Sequence, residues 1–371
     1  MRLAFCLIKY FPYGGLQRSF LQIARECLAR GHAVHVFTSA WQGAVPAGLE
    51  VETVPLRGFT NHGRRRSLAE ILGRRVAPRT YDGVVGFSKM PGLDIYYGGD
   101  ACFAEFARDR HPLYRLTGRC RTYLALEKAV FAPPSRTHAL LLSTREIECY
   151  RSHYGTPRER LHLLPPGIAR DRIAPPDAAE RGRRLRAELG IPPQDKIVLM
   201  VGSGFRTKGV DRTLRAVAAL PPRLKTQTTL IVIGHDNFRP FQRLARRLGI
   251  ADQLRFFHGR DDIPRFLFAA DLLAHPAYRE TTGTILVEAL AAGLPVLASD
   301  VCGFSDHVAR SDGGLLVATP FNQTTFNRML ADMLVSPRRE QWGRNGVAYV
   351  RQADVFSRAE RAADMIERLV R

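Results

Sequence analysis

No stretch of about 18 apolar residues occurs in this 371-residue chain, so no segment has the composition of a membrane-spanning helix. The start, MRLAFCLIKYFPYGG, places Lys9 and Gly14 where a signal peptide would continue its apolar region and reach a cleavage site. It reads as the first strand of a fold, and the expected location is the cytoplasm. Cysteine is sparse and unpatterned: Cys6, Cys27, Cys102, Cys120, Cys149 and Cys302 form no C-x-x-C pair. That spacing gives no disulfide framework and no zinc site. There is no D-x-D pair and no His/Asp cluster at ligand spacing, so no metal is expected. A G-x-G-x-x-G dinucleotide fingerprint is missing as well. Negative charge is scarce: 35 Asp and Glu stand against 55 Lys and Arg, a net charge of +20. Such a balance favours a polyanion, whether nucleic acid, an anionic membrane or a phosphorylated substrate. No aromatic–basic motif or recognition helix accompanies the charge, so nucleic acid is not the expected partner.

What is present is a globular core. Hydrophobic residues make up 45% of the chain and charged ones 24%. Short apolar runs alternate with amphipathic windows along the whole length. Strand candidates are LAFCLI from Leu3, AVHVFT from Ala33, VETVPL from Val51, DGVVGF from Asp82, HALLLS from His138 and LHLLP from Leu161. A second set follows: KIVLMVG from Lys196, TLIVIGH from Thr229, LRFFHG from Leu254, DLLAHP from Asp271, PVLASD from Pro295 and GLLVA from Gly314. Near-continuous Val, Ile and Leu is the pattern of strands buried on both faces. Helical windows such as GLQRSFLQIARECLARG from Gly15 lie between them, which predicts parallel sheets of the α/β class. The stretch PPGIARDRIAPPDAAERG has four prolines and a linker composition. Two doubly wound Rossmann-like domains are therefore expected, 1–165 and 170–350, facing a cleft. A C-terminal helix within 351–371 should pack back across their junction. Ligands in such folds bind beyond the carboxyl ends of the strands.

Four stretches fit that location. The first is Glu280-Thr-Thr-Gly-Thr-Ile-Leu-Val-Glu288, followed by ALAAGLPVLASD. Its second glutamate is expected to begin a helix ending at Gly293. Thr281, Thr282, Gly283 and Thr284 would form a small-residue turn whose N–H groups suit sugar hydroxyls or phosphate oxygens. A carboxylate such as Glu288 can accept both hydroxyls of a ribose diol. Alone, two such glutamates would be ordinary helix-start carboxylates; the buried strand that follows gives them a context. The second is MVGSGFRTKGVD, residues 200–211, with Ser203 and Arg206 in the turn and Lys208 at a helix start, where a diphosphate would be favoured. The third is Tyr13-Gly14-Gly15-Leu16, two glycines that let the backbone approach a ligand closely. The fourth is YYGGD, placing Asp100 after a Gly-Gly turn at a strand's carboxyl end.

The E-x7-E pattern with its following EALAAGLPVLASD resembles the donor-binding signature of retaining glycosyltransferases of the GT-B architecture. The resemblance implies that Glu280 sits by the hexose and Glu288 holds the nucleotide ribose. It implies that Lys208 and an arginine neutralise the diphosphate in place of a metal. Arg206 is closer to Lys208 than in many relatives, so Arg170 or Arg172 is an alternative. The Gly14–Gly15 loop would lie against the donor phosphates and Gly259–Arg260 in the loop that receives uracil. Asp100 would orient the acceptor hydroxyl or bind the hexose, where many distant relatives use a histidine. Across nearly the whole chain, FPYGGLQRSF, YYGGDACFAEF, HPLYRLTGR, LLPPGI, VGSGFRTKGVDR, FFHGR and HPAYRETTGTILVEALAAGLPVL are similar to the lipopolysaccharide core glucosyltransferases. That family adds the first outer-core hexose from UDP-glucose to an inner-core heptose. UDP-galactose and UDP-N-acetylhexosamines remain alternative donors, and the UDP-sugar is a substrate, so no cofactor is implied.

The acceptor of that family is anchored in the inner membrane, so its enzyme must visit the cytoplasmic face. Between Phe103 and Arg136, seven Arg and Lys interleave with aromatic and aliphatic residues against Glu105, Asp109 and Glu127. This segment is expected to lie peripherally in the headgroup plane of an anionic bilayer.

Overall fold

A computed structural model describes residues 1–12, 14–56, 58–76 and 80–370. The chain separates into two compact units, Met1–Pro165 with Ser357–Arg371, and Pro166–Phe356. Each is an α/β unit built on a wholly parallel sheet.

The first unit has seven strands: β1 (Arg2–Cys6), β2 (Ala33–Thr38), β3 (Leu49–Thr53), β4 (Gly83–Gly86), β5 (Ile95–Gly98), β6 (His138–Leu141) and β7 (Leu161–Leu163). They pair in the order β3-β2-β1-β4-β5-β6-β7. The strand order reverses at β1/β4, which is where a doubly wound sheet opens a crevice at its carboxyl edge. Helix Gly15–Ala29 follows β1 and buries Phe20, Ile23, Ala24 and Cys27 on one face. The expected C-terminal helix is Arg358–Leu369. Helix Arg339–Gln352 ends in the second unit, the chain is extended at Ala353, and helix Arg358–Leu369 belongs to the first unit. There Asp364 and Glu367 pair with Arg30 at 2.7 and 3.2 Å, at the end of helix Gly15–Ala29. Arg358 is buried and donates to Pro165 O at 3.0 Å and Ser19 Oγ at 3.2 Å.

Beyond β5 a buried charged cluster fixes the backbone of residues 100–104. Glu127 is 0% exposed, and its carboxylate meets Lys89 Nζ at 2.5 Å. The same carboxylate accepts from Phe103 N, Ala104 N and Tyr154 Oη at 2.7–2.9 Å. Lys89 also donates to Ala101 O at 2.8 Å, and Glu146 accepts from Cys102 N at 2.8 Å. Burial pushes the Glu146 carboxyl up to about 7. Burial acts the same way on Glu127, but Lys89 and the two amides outweigh it and hold Glu127 below the usual range.

The second unit has six strands: β8 (Lys196–Val201), β9 (Thr228–Ile233), β10 (Leu254–Phe257), β11 (Leu272–His275), β12 (Val296–Ser299) and β13 (Gly314–Val317). They pair as β10-β9-β8-β11-β12-β13, so the order reverses at β8/β11. Val198, Leu214, Leu230, Leu272, Leu297, Phe326 and Leu330 pack into one core between this sheet and its helices. Among the described residues no helix is long and apolar enough to cross a membrane.

Candidate donor site

In the second unit the loops after β8, β11 and β12 are tied to one another. Gly209 has φ +78°, and a side chain there would strike Pro276 O, so only glycine lets the two loops close. Tyr278 N donates to Thr207 O at 2.8 Å. Arg212 lies 3.6 and 3.7 Å from the rings of Tyr278 and Phe321 and donates to Pro276 O and Ala277 O. The third loop joins when Gly303 N donates to Glu280 O at 3.1 Å and Phe304 N to Thr282 O at 2.7 Å.

These ties bring Lys208 and Glu280 together, 72 residues apart in sequence, as an ion pair between Nζ and Oε2. Lys208 stands at the entrance to helix Val210–Ala218, where N–H groups gather. Burial pushes its ammonium down to about 8, with the nearby Cys302 opposing that fall. The lysine is thus a charged group at neutral pH, held in a partly dry site. His275, at the last position of β11, places Nε2 3.1 Å from the same Glu280 oxygen. It is 1% exposed. Burial, with Lys208 nearby, pushes the His275 imidazolium down to about 3, so the ring is neutral.

Gly283, at φ +82°, caps helix Thr284–Ala291. The left-handed turn starts the helix at Thr284, not at Glu288. Glu288 therefore lies in the second turn, half-buried. Arg172 is 8% exposed and brings Nε 3.5 Å from Glu288 Oε1. Of the arginines expected near the diphosphate, Arg172 is thus paired with Glu288. Arg170 lies 4.9 Å from the ring of Phe356. Arg206 is exposed on the loop of Lys208 and forms no ion pair among the described residues.

At the ends of β9 and β10, Ser203 Oγ accepts from His235 N at 3.0 Å. A side chain at Gly259 would strike the His235 ring, so the loop after β10 packs flat on that imidazole. Arg260 forms a bidentate pair with Asp262 at 2.7 and 2.9 Å. Gly14, Gly15 and Asp100 are in the first unit. Gly14 caps helix Gly15–Ala29, and a side chain there would meet Gln17 and Phe11. Gly15 has open space around it, while Tyr13 of the same motif lies outside the described residues. Asp100 follows β5, half-exposed, with Arg65 Nη1 3.6 Å from its carboxylate. It does not cap the next helix, whose N-cap is Cys102.

Sequence reasoning missed His275 and Arg212. The first had a signal: DLLAHP puts a histidine at a strand's carboxyl end, five residues before Glu280. The second had none, because its role as a pin depends on two rings 66 and 109 residues away.

Comparison with known proteins shows the family. The family model described as Glycosyl transferases group 1 matches residues 182–348, and that described as Glycosyltransferase Family 4 matches residues 13–172. The chain is 43% identical over 368 residues to the lipopolysaccharide glucosyltransferase WaaG of Escherichia coli K12, covering 99% of this chain and 98% of that one. It is 32% identical over 401 residues to a D-inositol 3-phosphate glycosyltransferase of Catenulispora acidiphila, covering 96% and 90%. The crystal structure of WaaG superposes with a TM-score of 0.92, at 43% identity, over 98% of this chain and 99% of that chain.

Proposed function

The chain belongs to the glycosyltransferase family of the lipopolysaccharide glucosyltransferase WaaG, with the GT-B fold, and from that premise we propose that it adds the first outer-core hexose, from UDP-glucose, to an inner-core heptose with retention of configuration. The observation that carries the reading is the meeting of Lys208, Glu280 and the Gly283 turn at the carboxyl edge of the second sheet. A cation, a hydroxyl-binding carboxylate and free helix N–H groups are what a nucleoside diphosphate sugar requires. UDP-galactose and UDP-N-acetylhexosamines use the same groups and are the alternative donors.

In the proposed reaction the acceptor hydroxyl attacks the anomeric carbon from the face that the diphosphate leaves. The new C–O bond forms as the bond to the β-phosphate breaks, and a β-phosphate oxygen takes the hydroxyl proton. UDP carries that proton away. Lys208 and the N–H groups of residues 282–284 stabilise the charge that develops on the diphosphate, without a metal. We assign the assisting role to Arg206, which is exposed on the loop of Lys208. Glu280 accepts from hexose hydroxyls, Glu288 from the ribose diol, and Asp100 orients the acceptor hydroxyl. Ser203, Gly259 and Arg260 are assigned to the nucleotide's base end, and Gly14 and Gly15 to its phosphates. Release of UDP, measured over a panel of UDP-sugars, tests the donor assignment. UDP-glucose should react fastest; a faster UDP-galactose would replace it, and no release from any UDP-sugar would overturn the reading.

Glu288→Ala should weaken UDP and UDP-glucose equally, since the ribose is common to both. Loss of hydrogen bonds to a charged group is worth about 1.5–3 kcal/mol. Calorimetry giving an unchanged UDP affinity in the folded variant would remove Glu288 from the nucleotide site.

Attachment to the membrane surface is part of the same proposal. Residues 103–136 form helix Phe103–Arg108, a 3-10 turn Pro112–Leu116 and helix Gly118–Phe131. The segment is only partly a surface. Leu126, Glu127 and Phe131 are buried, and Phe103 and Tyr123 pack ring to ring at 5.0 Å. Leu113 and Leu116, however, are 65% and 61% exposed, beside exposed Arg108, Arg110, Arg115, Arg119 and Arg121. Two leucines ringed by arginines suit the headgroups of an anionic bilayer at the cytoplasmic face, at about 1 kcal/mol per basic residue. Replacing Arg115, Arg119 and Arg121 with Ser should reduce binding to anionic vesicles more than tenfold and leave UDP release from UDP-glucose unchanged. Co-sedimentation equal to the parent chain would exclude this surface.

A further inference from the structure

Glu280 has two cationic or N–H partners, and they differ in kind. Lys208 is a charge that an arriving diphosphate would compete for. His275 is a neutral ring buried at the end of β11, with no charge to surrender. Its Nε2 must carry the proton to meet a carboxylate at 3.1 Å, which leaves Nδ1 as the unprotonated nitrogen. Nδ1 is buried and has no hydrogen-bond partner among the described residues. The ring therefore spends its one N–H on Glu280. The backbone around it is equally committed: Ala277 N donates to His275 O, and Gly303 N to Glu280 O.

We propose that His275 is a positioning residue for the transfer reaction, its Nε2–H holding the Glu280 carboxylate in place when the donor's diphosphate draws Lys208 away. The inference rests on the reading of Glu280 as the hexose-side carboxylate. Without His275 the carboxylate would lose both partners as the donor arrives and would turn with its own torsions. With it, one carboxylate oxygen stays fixed and the other remains free to accept from a sugar hydroxyl. A neutral donor suits this task, because an imidazolium would pair with the diphosphate or repel Lys208. Among the described residues the hydrogen bond of the His275 ring goes to Glu280, so its loss should act on turnover and not on nucleotide binding.

The test uses the full chain with UDP-glucose, in the variants His275→Leu, His275→Gln and His275→Asn, with Glu280→Gln alongside. Gln carries an N–H to the place of Nε2, whereas Asn is one bond too short. His275→Leu and His275→Asn should lower kcat for UDP release about 10- to 100-fold, what loss of one hydrogen bond to a charged group costs. UDP affinity should stay within twofold, and His275→Gln should regain most of the rate. The Gln and Asn pair, alike in polarity, carries the test should the Leu variant not fold. Equal rates for folded Gln and Asn variants, or a parallel fall in UDP affinity, would overturn the proposal. If Glu280→Gln itself turns over normally, the site reading fails rather than this inference.

Discussion

Lys208→Ala should lower turnover with UDP-glucose by about 10²–10³ and leave the chain folded, the effect of removing one preorganised charge from a developing oxyanion. The physical case is the position of the ammonium. It is part-buried at a helix entrance, its charge already placed, so no solvent need reorganise when the diphosphate leaves. The ion pair with Glu280 is what holds it there before donor binds. Because burial brings its pKa to about 8, kcat/KM should also fall as pH rises past that value, the ammonium losing its proton. The sign is fixed by the chemistry, since only the protonated form stabilises the leaving group. Turnover of the folded variant within tenfold of the parent, by UDP release, would contradict the role. Mg²⁺ and EDTA should both leave the parent's rate unchanged.

Lys89→Met should destabilise the first unit by about 3–5 kcal/mol, because it strips the counter-charge from a carboxylate that is fully buried. Glu127 would keep its amides from Phe103 and Ala104 and its Tyr154 hydroxyl, which do not neutralise a charge. Pairing the change with Glu127→Gln should restore a part of the loss, since no uncompensated charge then remains. Denaturant unfolding of the single and double variants checks both statements. A single-variant loss under about 1 kcal/mol would mean that Glu127 takes up a proton at little cost.

The sheets were legible because both-face burial writes Val, Ile and Leu in runs, as in KIVLMV for β8 and TTLIVI for β9. Strand β5 was legible only as the strand end that YYGGD marks: IYYG is four residues long, and its two tyrosines are fully buried without resembling an aliphatic run. The start of helix Thr284–Ala291 was misplaced at Glu288 because the glycine that opens it needs a left-handed φ, which composition does not display. Lys208, Glu280 and Glu288 were singled out from local context and from the family's signature. What joins Lys208 to Glu280 was not, since closure of two loops at Gly209 is a contact of backbone with backbone. The buried cluster was hidden for a related reason. Lys89, Glu127 and Glu146 are far apart in sequence, and Glu127 sits in a helix whose other charges face outward.

The central claim is retaining hexosyl transfer to an inner-core heptose. It is tested most directly by incubating the purified chain with UDP-glucose and a lipopolysaccharide acceptor that ends at that heptose, then determining the anomeric linkage by NMR. The account predicts one added glucose in α linkage, with a matching amount of UDP, in buffer containing EDTA. A β-linked product, or UDP formed with no sugar on the acceptor, would contradict it.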